Sequence, residues 1–277
     1  MNAILAEHAG KRATERFWLA YTPVWGAGCA VVMVGGFAER WGDGALLMLG
    51  LLPALGAVVG PFLVAPPEER ALPLVERTAF KMVLGVVLLS FGLNYTQTPY
   101  FWDVLHMHFG FNATWTIREN PIFLYLLTVA YFSTYSVLTC IAYRWLRARL
   151  AAAPAPLRVS ALALAPLAMA FLETVLNANP WTRRLFCYDD MRLMLWFGTL
   201  SYGVAFMFIL PAWMGVDERP GRRVSVLTVV AWTLAALYAD LIVLDLLRYH
   251  VAPALTTVHP HAHGLRDFGS SCLGAPR

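Results

Sequence analysis

Seven stretches of the chain are apolar over lengths that approach a membrane crossing, at about 17–37, 45–65, 80–101, 121–143, 157–176, 193–214 and 224–247. A helix needs about 20 apolar residues to span the hydrocarbon core, and in lipid every backbone polar group must be satisfied within the segment. Helix is therefore expected for each run. None alternates apolar and polar residues, as barrel strands would. The pattern predicts an all-α, polytopic transmembrane bundle of about seven spans. It is read as one membrane-embedded domain over 1–277, with a partly irregular tail from 251 to 277.

Pro23, Pro53, Pro61, Pro166 and Pro211 fall inside the runs. Each removes a helix hydrogen bond, and kinks of this kind in membranes are usually structural. Gly56 and Gly60 form a small-xxx-small pair that close helix packing explains. Short connections include the charged turn Pro66–Glu69 and the Pro-containing linker 151–156. Two longer ones, 102–120 and 177–192, fall on one side and are rich in aromatic, His and acidic residues. A pocket rim is expected there. No internal repeat is visible, which argues against an inverted-repeat transporter.

Composition agrees with the pattern. Hydrophobic residues make up 59% and charged ones 14%, against about 25% charged in soluble proteins. Thirteen Lys and Arg collect on the N-terminal side and eight on the other or in the tail. That bias predicts a cytoplasmic N-terminus. The net charge of +4 is then topological, and no nucleic-acid partner is expected. Cys29, Cys140, Cys187 and Cys272 show neither metal spacing nor a disulfide pattern, so neither is expected. The first ten residues are polar and mixed in charge, so no cleavable signal peptide is expected. His259, His261 and His263 in the tail read as solvated.

Polar residues inside apolar spans carry more information, because each costs several kcal/mol to place in lipid. The third run ends Asn94-Tyr95-Thr96-Gln97-Thr98-Pro99-Tyr100. The fifth holds Glu173, followed by Asn177 and Asn179, and the last holds Asp240 and Asp245. Odd-numbered spans run in the same direction, so Asn94, Glu173, Asp240 and Asp245 all fall in the outer half. Tyr188, Asp189 and Asp190 cap that side. Asp240 and Asp245 could equally be structural, Asp245 by pairing with Arg248. Glu173 has no cation within one helical turn.

These residues resemble a known family. The opening Lys11-Arg12-x-x-Glu15-x-Phe17-x-Leu19-x-Tyr21-Thr22-Pro23-x-Trp25 is similar to the start of the plant cycloeucalenol cycloisomerases. Asn94-Tyr95-x-x-Thr98-x-Tyr100-Phe101, Leu172-Glu173-Thr174 and Ala178-Asn179 follow in family-like order. After them come Asp190, Met194, Gly198, Tyr202, Pro211, Asp217-Glu218, Leu244-Asp245-Leu246-x-Arg248 and Cys272-Leu273. The likeness covers about residues 11–273. At the start of the fourth run this chain reads Pro121-Ile122 where the plant pattern has a His after the Pro. The segment from Asn179 to Asp190 is also longer, and Asp240 has no counterpart.

The resemblance implies an isomerase that opens the 9β,19-cyclopropane ring of a sterol and leaves a C8 double bond. No metal or cofactor is implied, and the partner is a sterol arriving from the bilayer. A proton must reach the ring, a tertiary cation forms, and a base removes a neighbouring proton. Desolvation disfavours a carboxylate, so a carboxyl among apolar residues keeps its proton near neutrality and can donate it. Glu173 fits that role, with Asp190 and Tyr95 completing the expected catalytic set. Tyr95, Tyr100 and Trp181 could face the cation, each worth about 0.5–2 kcal/mol. Asn94 and Asn179 could orient Glu173 or hold the sterol 3-hydroxyl. Thr98 and Asp245, in the matching motifs, complete the expected substrate-binding set. Two alternatives stay open: a sterol double-bond isomerase, and a non-catalytic sterol-binding or transport protein. The Ala-, Gly- and Arg-rich composition points to a bacterial source and so to an inner membrane, or to the endoplasmic reticulum if the source is eukaryotic.

Overall fold

The computed structural model describes residues 4–258; the tail histidines and Cys272 lie outside them. Among the described residues seven helices are long and apolar enough to cross a membrane. They are α1 (Ala9–Val34), α2 (Asp43–Leu63), α3 (Thr78–Asp103), α4 (Ile122–Arg149), α5 (Ala155–Asn177), α6 (Met191–Gly215) and α7 (Val226–Ala254). The chain is an all-α polytopic bundle, in the order the apolar runs predict. The ends differ where polar residues are helical. Helix α1 begins well before its apolar run because Lys11 and Glu15, each 1% exposed, are buried in ion pairs.

Local chemistry sets several boundaries. The Ser225 hydroxyl caps α7 by accepting from Thr228 N at 3.1 Å, satisfying one free donor of the first turn. Helix α3 breaks at Gln97, between Thr78–Thr96 and Thr98–Asp103, where Pro99 supplies no N–H to the ladder. One wide π turn, Met194–Gly198, lies near the start of α6 and a second, Leu247–Val251, late in α7. The five span prolines all sit inside helices.

Helices α3, α4, α5, α6 and α7 form a closed ring, each touching the next and α7 returning to α3. Helices α1 and α2 pack outside it against α3 and α4. Gly56 and Gly60 of α2 admit side chains of α1: a Cβ there would lie 2.1 Å from the Tyr21 hydroxyl and 1.8 Å from the Phe17 ring. Close approach is the role of this pair.

Two faces result. The near face carries the N-terminus and a buried ionic belt. Arg144 holds Glu15 and Glu218 at 2.7 Å each, Lys11 holds Glu218 at 2.8 Å and Arg223 holds Glu69 at 2.8 Å. Asp217, 0% exposed, takes the Lys81 ammonium, the Thr78 hydroxyl and Val224 N. Four basic residues that carry the sequence charge bias thus have carboxylate partners. Burial pushes the Glu218 carboxyl up, but Arg144 and Lys11 outweigh it and hold the group below its usual range. The far face is built from the two longer connections. Strand β1 (Met107–Phe109) pairs antiparallel with β4 (Phe186–Tyr188), and β2 (Thr116–Ile117) with β3 (Asn120–Pro121). Cys187 on β4 is disulfide-bonded while Cys29 and Cys140 are free. This corrects the expectation of no disulfide.

Candidate active site

A cavity of about 810 Å³, counting the space at its mouth, opens inside the ring toward the far face. Its walls come mainly from α3, α4, α5 and α6, with Met33 of α1 and Asn120 of β3, and its roof from the β1–β4 pair. Side chains alternate along a strand: Met107, Phe109, Phe186 and Tyr188 line the cavity, and the cross-strand pair His108 and Cys187 does not. Behind the roof, His108 and Asp189 pair at 3.1 Å. Phe101, Tyr131, Phe132 and Tyr202 supply aromatic wall, with Phe101 and Tyr202 stacked at 5.6 Å.

Glu173 stands in this wall, 8% exposed, one turn before α5 ends. Residues four apart on a helix face each other, and Asn177 donates to Glu173 Oε1 at 2.6 Å. The Tyr202 hydroxyl donates to the same oxygen at 3.5 Å. Oε2 is buried with no hydrogen-bond partner. A buried oxygen left unpaired costs about 1–3 kcal/mol, so the site holds a polar atom that a ligand can use.

A second polar group lies on the α3–α4 side. Asn94 donates to Ser90 O at 2.8 Å and Thr128 Oγ1 at 2.7 Å, and its own oxygen accepts from Asn120 Nδ2 at 2.8 Å. Asn94, Thr98, Gln97, Thr128 and Asn120 all line the cavity. Asn120 is set by a strained hairpin. Arg118 and Glu119 have φ of 49° and 63°, a left-handed conformation that costs roughly 1–2 kcal/mol per residue outside glycine. Surrounding bonds hold it. The Tyr125 hydroxyl donates to Ile117 O at 3.0 Å, Ile122 N to Trp115 O at 2.9 Å, and Asp43 accepts from Thr114 N and Trp115 N.

The structure brings Glu173, Asn94 and Thr98 to one cavity and leaves the other expected residues off its walls. Tyr95 is 49% exposed, with the Arg118 guanidinium 4.8 Å above its ring; it braces the hairpin. Asp190 is exposed and caps α6, accepting from Leu193 N at 2.9 Å. The four-residue spacing from Asp190 through Met194 to Gly198 does not define one α-helical face, because the segment includes the π turn. Tyr100 is buried but bonds Ser201 at 3.0 Å. Asn179 folds back on its own turn, accepting from Trp181 N and Thr182 N. Trp181 is 74% exposed and Asp245 is exposed. Arg248 pairs with Asp103 rather than with Asp245. Asp240, 0% exposed, lies 3.5 Å from the Gln97 amide, and its Oδ2 has no partner. Tyr202 and Asn177 are the orienting groups that the expected site lacked; Asn177 was legible as the i+4 neighbour of Glu173.

The chain is 31% identical over 255 residues to the cycloeucalenol cycloisomerase of Arabidopsis thaliana, spanning 90% of this chain and 89% of the plant protein. This chain belongs to the cycloeucalenol cycloisomerase family. No family model matches it, and no solved structure does. Within the family frame, the cavity is the place where a carboxyl, amides and aromatic rings converge.

Proposed function

We propose that this protein is a sterol isomerase that opens a 9β,19-cyclopropane ring. The supporting observation is Glu173, the one carboxyl group among the described residues that line the cavity, with one oxygen unpaired. In the protonated form it donates H⁺ to the bridging methylene. The bond from that carbon to C9 breaks, its electron pair forming the new C–H bond, and a tertiary cation is left at C9. Loss of the proton from C8 gives the C8 double bond, so atoms and electrons balance with no redox change. The Glu173 carboxylate left after donation serves as the base, and Asn177 and Tyr202 hold it in place through both steps. The aromatic groups at the cation are Tyr131, Tyr202, Phe101 and Phe132 rather than Tyr95, Tyr100 or Trp181. A cation over a desolvated ring gains about 2 kcal/mol.

The substrate is a cyclopropyl sterol drawn from the bilayer. The N-terminal face is cytoplasmic, and a disulfide-bonded Cys187 on the far face fits an oxidising side. The membrane is the bacterial inner membrane for a bacterial source. The test is expression in sterol-free cells fed cycloeucalenol or cycloartenol, with product analysis by mass spectrometry. Ring-opened Δ8 sterol supports the assignment. An intact ring with a shifted alkene would indicate a double-bond isomerase, and bound, unchanged sterol a carrier.

A further inference from the structure

We infer that Asn120 Oδ1 is the acceptor for the substrate's hydroxyl group, placed by the strained hairpin and by Asn94. The inference rests on the sterol reading of the cavity and adds the recognition group that the reading lacks. Asn120 is 1% exposed and lines the cavity. Its Nδ2 donates to Asn94 Oδ1 at 2.8 Å, and its Oδ1 is buried without a partner. The hydrogen-bond chain runs one way. Asn94 donates onward to Ser90 O and Thr128 Oγ1, and Thr128 Oγ1 donates to Tyr125 O at 3.1 Å. Asn120 Nδ2 is thereby assigned to the Asn94 side, so the open atom is an oxygen and takes a donor.

The chemistry of the ligand follows. A cavity wall made mostly of apolar and aromatic groups, with one amide oxygen open on the α3–α4 side, suits a large apolar molecule carrying a single hydroxyl. The carboxyl of Glu173 is on α5, and the amide pair is on the α3–α4 side. The two unpaired oxygens therefore define an axis: hydroxyl end toward Asn120, reacting ring toward Glu173. Asn94, which appeared from sequence to be a direct contact, becomes a positioning residue that fixes the Asn120 amide by occupying its N–H.

The test uses the full-length protein in detergent or nanodiscs, a 9β,19-cyclopropyl 3-alcohol, and the matching 3-ketone. The ketone keeps the skeleton but has no O–H to donate. Native protein should bind the alcohol at least tenfold more tightly than the ketone, since a site built around a hydroxyl leaves its own group unpaired with the analogue. Asn120→Leu should bring the ratio close to one, mainly by weakening the alcohol. A loss of packing alone would weaken both ligands together and keep the ratio, which would overturn the assignment, as would a native protein with no preference. Asn94→Leu should lower the ratio less. A ratio that collapses in Asn120→Leu while native protein opens no cyclopropane ring would leave the hydroxyl acceptor standing and remove the isomerase reading.

Discussion

Replacing Glu173 with Gln changes one oxygen to an NH₂ group and almost no volume. The amide oxygen can still accept from Asn177 and Tyr202, which meet Oε1 at 2.6 and 3.5 Å, while the NH₂ occupies the position of the unpaired Oε2. Folding should therefore change by less than about 1 kcal/mol, because the variant keeps the paired side and exchanges one unpaired polar atom for another of the same size. Turnover is a different matter. An amide cannot protonate a saturated carbon, and positioned acid–base groups contribute typically about 10²–10⁴-fold. A loss of at least about 10³ is expected, on the order of 4 kcal/mol of barrier. Binding of the cyclopropyl sterol should persist. Glu173→Asp keeps the acid but withdraws it by one methylene, and a misplacement of about 1 Å costs on the order of 10². Turnover is followed as loss of cyclopropyl sterol and growth of the Δ8 product, and binding by equilibrium titration on the same preparation. Glu173→Gln within tenfold of native turnover would refute the role of the carboxyl.

Further outcomes follow from the same geometry. Tyr202→Phe should lower turnover severalfold with unchanged binding, measured in the same assay. Asp190→Asn should leave turnover near native, because Asn also caps helices; a tenfold loss would return Asp190 to the site. Asp240→Leu should cost more than Asp190→Asn, because it frees the Gln97 amide at the cavity wall. Arg144→Leu strands Glu15 and leaves Glu218 to Lys11 alone, and should destabilise by about 3–5 kcal/mol, read by thermal unfolding. Since Glu218 is held below its usual range, its contribution is present above about pH 4.5, the ordinary value, and lost as pH falls through the lowered one. Arg144→Leu should flatten that acid limb. Cysteine labelling at Arg147 and Asp189 should place them on opposite sides of the membrane.

The spans were legible because lipid leaves one solution to an apolar run of that length. Glu173 was legible for the same reason, a lone carboxyl where burial is costly. Along α3 the reading was half right. Asn94 and Thr98, four apart, share the cavity wall, whereas Tyr95 is turned by about 100° and faces outward. Asn120 could not be read because its position depends on Arg118 and Glu119 at positive φ, a turn that sequence usually signals with Asn or Gly. The Asp190 expectation assumed a regular helix through Met194–Gly198, which is a π turn. The ionic belt was hidden by distance along the chain: Arg144 meets Glu15 and Glu218 only once the bundle has formed.

That belt also divides the molecule mechanically. It staples the near-face ends of α1, α3, α4, α6 and α7, through Lys11, Lys81, Arg144, Asp217 and Arg223. Among the described residues none of its ion pairs comes from α5. The bundle is therefore built like a clothes peg, tight at one end, with one jaw less constrained than the rest. That jaw carries Glu173. On the proposed reading, the helix that carries the acid is the ring helix the belt leaves untied, and a cross-link fixing the far end of α5 to α4 should lower turnover while sparing the fold.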